Sequence, residues 1–167
     1  MGQKQWKGVS YDPDGAVKSC LFCRIAQKRM NPGRDGKGEL LYEDEDVVVF
    51  KPREPMATMH ILAVPKRHIK TVRNLTDQEL LEKMLIAGSF VLDREESSDC
   101  AVGKQKSVTD ILRDPRRYYR FHVPPFNSID HVHLHCFKRP FLSWYNALKY
   151  TDNGIWSASA ASVWSAL

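Results

Sequence analysis

The sequence predicts an α+β domain of five strands and one principal helix. Three observations carry that reading: five short runs rich in β-branched and aromatic residues, one long stretch with apolar residues at helical spacing, and turn-forming residues between them. The chain has 167 residues, 43% of them hydrophobic and 27% charged. That is the size and composition of one globular domain with its own core, and it excludes collagen-like and wholly disordered classes. No apolar run approaches the ~18 residues of a membrane span, and the first eighteen residues are polar. A cytoplasmic or nuclear protein with no membrane partner is therefore expected.

Residues 1–18 hold the turn Asp12-Pro13-Asp14-Gly15 and few large apolar side chains, and read as a flexible or peripherally docked tail. A short helix follows from Ser19 to about Gln27, with Leu21, Phe22 and Ile25 facing a core. Pro32, Gly33, Gly36 and Gly38 make a loop. Strands at 40–42 and 47–50 form a hairpin around Glu43-Asp44-Glu45-Asp46, which Pro52 and Pro55 end. Residues 60–64 make the third strand, stopped by Pro65. The principal helix begins at Thr76, where Thr76-Asp77-Gln78-Glu79 has the form of a capping box and Leu75 and Leu80 that of a hydrophobic staple. Leu80, Leu81, Met84, Leu85, Phe90, Val91 and Leu92 are its apolar stripe. From 94 to 117 the composition is polar, a long loop or a loop with one short helix. Strands at 118–123 and 132–137 complete the set, and an extension over 146–167, with Trp156 and Trp164, packs on the domain.

The chemistry concentrates in His131-Val132-His133-Leu134-His135-Cys136. Side chains alternate along a strand, so the three imidazoles share one face at roughly 6.5 Å spacing while Val132, Leu134 and Cys136 face a core. Such a row can bind a catalytic metal with an open position, or supply a neutral imidazole that attacks phosphorus. The preceding Pro124-Pro125-Phe126-Asn127-Ser128 offers neutral donors suited to a phosphate or a leaving group, and no carboxylate cluster lies nearby for a second metal. Cys20 and Cys23 form a Cys-x-x-Cys pair, open to a zinc half-site, a redox pair or a metal-free thiol pair; Cys136 reads as core and Cys100 as a loop residue. The net charge is +5 with pI near 9.0. Its excess gathers at Lys66, Arg67, Lys70 and Arg73 and in four arginines over 113–120, favouring anionic partners.

These residues resemble the histidine triad (HIT) superfamily of nucleotide hydrolases and transferases. The triad is joined by Cys20-Leu21-Phe22-Cys23-Arg24-Ile25 and by His60-Ile61-Leu62-Ala63-Val64-Pro65-Lys66-Arg67-His68-Ile69, which resemble motifs of its Hint branch, and by Phe121-His122-Val123-Pro124-Pro125-Phe126-Asn127-Ser128. The likeness covers about residues 19–145. It implies a HIT-like α+β fold, a five-stranded antiparallel sheet with a main helix packed on it, paired as a homodimer. It also implies a purine nucleoside 5'-phosphoramidase, or alternatively an adenylylsulfate-cleaving enzyme, with no organic cofactor. The arginines over 113–120 and the Pro52 position suggest a further alternative, a non-catalytic nucleotide- or nucleic-acid-binding module, although nucleic acid is not required. His133 is the implied nucleophile, forming a nucleotidyl-histidine. His135 is the implied phosphate contact, His60 the residue that holds the His133 imidazole in its tautomer, and Ser128 the hydrogen bond near the scissile bond. Phe22, Ile25, Phe50, Arg53, His122 and Asn127, with Ser128, His133 and His135, are the implied nucleotide contacts. Cys20, Cys23, His68 and His131 are the implied ligands of a structural zinc. Hint proteins commonly place an aspartate where this chain has Pro52, so the usual ribose contact is missing or supplied by another residue.

Overall fold

The computed structural model describes residues 5–33, 36–96, 106–151 and 154–167. Three short strands, β1 (Gln5–Trp6), β2 (Val9–Tyr11) and β3 (Val17–Cys20), open the chain as an antiparallel sheet of order β1-β2-β3. The described part of 1–18 is thus a small sheet packed on the domain. Val9 is fully buried beside Cys20, and the turn at Asp12 closes through Gly15 N–H to Asp12 O (2.9 Å) and Asp12 N–H to Ala16 O (2.8 Å). Few apolar residues are needed here because one valine and the main-chain ladder dock the segment.

Helix α1 (Leu21–Ala26) follows, then β4 (Leu40–Glu43), β5 (Val47–Phe50) and β6 (Ala57–Pro65). The acidic run makes the expected turn because the Asp44 carboxylate accepts from Asp46 N–H (2.8 Å) and Val47 N–H (2.7 Å), an Asx-type closure. A 3₁₀ turn at Val72–Asn74 leads into α2 (Gln78–Glu96). The cap falls one residue later than the sequence pattern proposes: Asp77, not Thr76, accepts from Leu80 N–H at 3.0 Å. An aspartate caps as well as a threonine and adds its charge at the helix N-terminus. Leu80, Leu81, Met84, Leu85, Val91 and Leu92 are buried as expected, whereas Phe90 is 46% exposed and lies edge-on to Tyr42.

The polar stretch contains α3 (Val108–Arg113), capped by Ser107 accepting from Asp110 N–H. Cys100 and the middle of this stretch lie outside the described residues. Strands β7 (Arg117–His122) and β8 (Leu134–Phe141), α4 (Trp144–Lys149), β9 (Ser157–Ser159) and α5 (Ala160–Ala166) complete the chain.

The main sheet is antiparallel with order β4-β5-β6-β8-β7-β9, six strands instead of five. The sixth, Ser-Ala-Ser, has no β-propensity of its own and is a strand because β7 offers it a free edge. On one face α2 covers Val47, Val49, Ile61, Ala63, Leu134 and Cys136. The approach is close: a Cβ on Gly88 would stand 2.5 Å from Cys136 Sγ, so only glycine lets the helix sit down on β8. On the other face α1 and the first sheet pack over Val48, Phe50, Leu62 and Val64, while Tyr150 packs on Phe137 and Ala57. The gap between these two covers is a cleft, and the alternation of β6, β7 and β8 points His60, His122 and His135 into it.

Candidate active site

The ladder of β8 begins only at Leu134, two residues later than its expected start, so His131 and His133 lie just before it. The facing alternation still holds: Val132, Leu134 and Cys136 are in the core under α2, and His133 and His135 line the cleft. Because His131 is outside the ladder its carbonyl is free, and it accepts from His133 Nδ1–H at 2.7 Å. That bond leaves His133 Nε2 with a lone pair rather than a proton.

His60 does not touch His133 in this arrangement, contrary to the role the resemblance implies. Met56 N–H donates to His60 Nδ1 (3.1 Å), so the His60 proton is on Nε2 and is donated to His135 Nδ1 (2.9 Å). His135 must then carry its proton on Nε2, a buried atom with no partner among the described residues. The register explains the pairing: Leu62 opposes His135 and His60 opposes Phe137, so His60 and His135 are diagonal neighbours on one face of adjacent strands. Two imidazoles therefore enter the cleft in opposite tautomers, His133 as a nucleophile and His135 as a donor. This ladder also works against a catalytic metal held by both, since a ligating His135 Nε2 would have to shed the proton that His60 and Met56 assign to it.

All four imidazoles of the cleft are held neutral by burial. Desolvation lowers His60 to about 3, with His133 and His122 adding to the effect; it lowers His122 to about 4 and His133 to about 4, and takes His135 well below the ordinary value. A stability consequence follows for His60 and His122, which lie apart from the cysteine cluster. The unfolded chain binds their protons near pH 6.5 and the folded chain does not, so stability is full above that pH and falls as pH drops toward 4, by on the order of 3 kcal/mol for His122 alone. Urea midpoints at pH 7 and pH 4.5 test this. A midpoint that does not fall on acidification rejects it, and His122→Asn should shrink the fall.

The cleft has a volume of about 700 Å³. One end is apolar, built by the buried Phe22, Ile25, Phe50 and Leu62; Phe22 stands edge-on to Phe50 (5.7 Å) and to His133 (5.1 Å). Arg53 and Ser128 line it as the sequence suggests, and both are exposed. Asn127 does not line it. Its amide is committed to Ile129 O (3.2 Å) and Asp130 Oδ1 (2.7 Å), and its carbonyl accepts from Lys7 Nζ (3.0 Å). The opposite rim is aromatic, with Phe126 and Tyr145 each edge-on or tilted to Trp156 and Lys149 over the Tyr145 ring. Tyr150 stacks on His122 at 5.3 Å and walls off the histidines. Sequence reasoning missed Tyr150, Lys149 and Glu54, the single carboxylate among the described lining residues. No motif marks them: Lys149 and Tyr150 belong to the extension and Glu54 to the loop between β5 and β6, and both reach the site only through the tertiary fold.

Cys20, Cys23, His68 and His131 converge. Their ligand atoms lie within 4.8 Å of one another, with Cys20 Sγ 3.3 Å and Cys23 Sγ 3.5 Å from His131 Nδ1, and Cys23 Sγ 3.5 Å from His68 Nδ1. These are about the ligand–ligand edges of a tetrahedral zinc site. His131 Nε2–H donates to Pro65 O at 2.9 Å, which leaves the Nδ1 lone pair facing the sulfurs, as a second partner does for a metal-bound imidazole. The Cys23 thiol beside it, with His131, holds the Cys20 thiol well below its ordinary range, while the Cys20 sulfur pushes Cys23 up. The residues fit a metal ion.

Three of the four arginines at 113–120 are already spent internally, while Arg113 is exposed. Arg116 pairs with Asp114, Arg117 with Asp93 and Glu96, and Arg120 is buried against Ser157 and Thr151.

A buried, neutral, tautomer-defined row of histidines on an antiparallel sheet is the site of an enzyme that works on phosphorus. The family described as scavenger mRNA decapping enzyme C-term binding matches residues 19–150. The chain is 35% identical over 146 residues to the bifunctional adenosine 5'-phosphosulfate phosphorylase/adenylylsulfatase HINT4 of Arabidopsis thaliana, covering 84% of each chain. It is 37% identical over 145 residues to the adenosine 5'-monophosphoramidase HINT3 of Xenopus tropicalis, covering 85% of this chain and 82% of the other. A HIT family hydrolase from Legionella pneumophila superposes with a TM-score of 0.53 at 27% identity, over 75% of this chain and 97% of that one. The chain belongs to the histidine triad superfamily and, within it, to the Hint branch.

Proposed function

We propose that this chain hydrolyses purine nucleoside 5'-phosphoramidates through a nucleotidyl-histidine on His133. The observation that carries the reading is the pair of opposite tautomers, an Nε2 lone pair on His133 beside an Nε2–H on His135. His133 Nε2 attacks the α-phosphorus; its P–N bond forms as the bond to the leaving amine breaks. The Nδ1–H bond to His131 O steadies the imidazolium that results. His135 donates to a phosphate oxygen, and Ser128 at the lip of the cleft relays a proton from solvent to the departing nitrogen. Water then attacks the same phosphorus, the His133–phosphorus bond breaks, and the extra proton leaves with solvent. The apolar end around Phe22, Ile25 and Phe50 takes the base. Glu54, two residues after Pro52, takes the ribose hydroxyls in place of the family's aspartate.

The relative named for adenylylsulfate chemistry favours a second reading with the same intermediate, in which sulfate leaves instead of an amine. A panel of adenosine and guanosine phosphoramidates, their 2'-deoxy forms and adenylylsulfate decides between them. The first reading requires kcat/KM to be highest for a phosphoramidate, and preference for adenylylsulfate overturns it; the Glu54 contact requires a drop for the 2'-deoxy forms, and indifference to the hydroxyl removes Glu54 from the site. A nucleic-acid module is less favoured, because three of the four arginines at 113–120 are paired or buried.

Cys20, Cys23, His68 and His131 would hold a structural zinc, which ties the N-terminal sheet and α1 to the catalytic strand. Chelation at neutral pH should then lower Tm by several degrees and release about one zinc per chain, and Cys20→Ser should lower Tm before it lowers kcat. Protein purified without chelator and free of zinc rejects this. Pairing of two copies, implied by the family, is read in solution as a particle of twice 19.2 kDa, and a single-chain mass rejects it.

A further inference from the structure

The turn between β1 and β2 consists of two residues, Lys7 and Gly8, since Trp6 pairs with Val9. Both are left-handed, with φ of 47° and 68°. A two-residue turn of this kind favours asparagine, aspartate or glycine at its first position, and lysine is disfavoured there. The lysine is explained by what its side chain reaches. Lys7 Nζ donates to Pro125 O (2.6 Å) and to Asn127 Oδ1 (3.0 Å), more than one hundred residues away, and Lys7 O accepts from Asp130 N–H (3.0 Å). Asn127 in turn donates to Ile129 O and Asp130 Oδ1, and Ile129 packs on Gly8, where a Cβ would meet it at 3.3 Å. Positions 125, 127, 129 and 130 are each tied, three of them directly by Lys7. The residue in their midst, Ser128, is exposed and lines the cleft.

We infer that Lys7 is a positioning residue for Ser128: the N-terminal sheet, folded against the loop before the triad, acts as a clamp that holds this hydroxyl where the leaving group departs. The inference rests on the proposed role of Ser128 at the scissile bond. The clamp acts on the departing group and not on the nucleoside, which binds at the other end of the cleft. Its loss therefore lowers kcat and leaves KM nearly unchanged, most for substrates whose amine leaves poorly.

Lys7→Asn separates the clamp from the turn, because asparagine suits the left-handed position better than lysine and is too short to carry a donor to Pro125 O and Asn127 Oδ1. On the full chain, kcat should fall about tenfold for an alkylamine leaving group and less for an arylamine, with KM within twofold and Tm not lowered; Lys7→Arg, which keeps the donors, should recover most of it. A Lys7→Asn protein with kcat within twofold of the parent on both substrates overturns the inference, as does an equal loss on both. If the parent chain turns over no phosphoramidate, the proposed function fails, and the clamp is read separately by backbone order parameters for 126–130. A drop below about 0.6 in Lys7→Asn supports it, and unchanged order overturns it.

Discussion

His133→Asn is expected to reduce turnover of a nucleoside phosphoramidate by on the order of 10⁴-fold or more while the protein stays folded and still binds nucleotide. The size follows from what the residue supplies. Among the histidines that hydrogen bonds hold in place, only His133 presents a nitrogen lone pair to the cleft: His135 points an N–H there, and His60 spends both nitrogens on Met56 and His135, while no hydrogen bond to a described residue fixes His122 Nδ1. Asparagine keeps a donor for the His131 carbonyl and fills most of the same space, so its cost falls on chemistry. Rapid-quench trapping of a labelled nucleotidyl-protein, present in the parent and absent in the variant, identifies the step. Retained turnover, or a trapped intermediate in the variant, overturns the assignment of His133.

The second large effect is at His60, which touches no reacting atom. His60→Met should lower kcat about 10²- to 10³-fold, the loss that accompanies removal of one preorganised donor to a developing anion. Without the His60 proton on its Nδ1, His135 can carry its own proton there and turn a lone pair toward the phosphate oxygen. His60→Gln, whose amide N–H can donate along the same line, should restore part of the rate. A merely structural role predicts a lower Tm and no rescue. The positioning role also predicts a change in the ¹⁵N shifts of His135, from a protonated Nε2 in the parent to a mixture of tautomers in His60→Met. Unchanged shifts together with unchanged kcat reject the relay.

Much of the site was legible in the residues alone. The alternation of His131, His133 and His135 with Val132, Leu134 and Cys136 fixes which side is core, and it holds even though the strand ladder starts at Leu134. Cys20, Cys23, His68 and His131 do converge as the family resemblance implied, although they come from three separate segments. The partner of His60 was not legible. Whether it meets His133 or His135 depends on the register of β6 against β8, and a shift of one residue would turn His60 to the other face. Asn127 illustrates the same limit. Its position before the triad suggests a ligand contact, and only the fold shows its amide consumed by Lys7, Ile129 and Asp130.

The sequence by itself determined the class of the domain, the core face of the principal helix, the histidine face and the cysteine pair, because each rests on a period or spacing within a few residues. The tertiary structure alone decided the sixth strand, the docking of the N-terminal sheet, the Tyr150 wall and the histidine tautomers. Those depend on which segments the fold brings together, 75 residues apart for His60 and His135 and 120 for Lys7 and Asn127, and no local propensity encodes a partner at such distances.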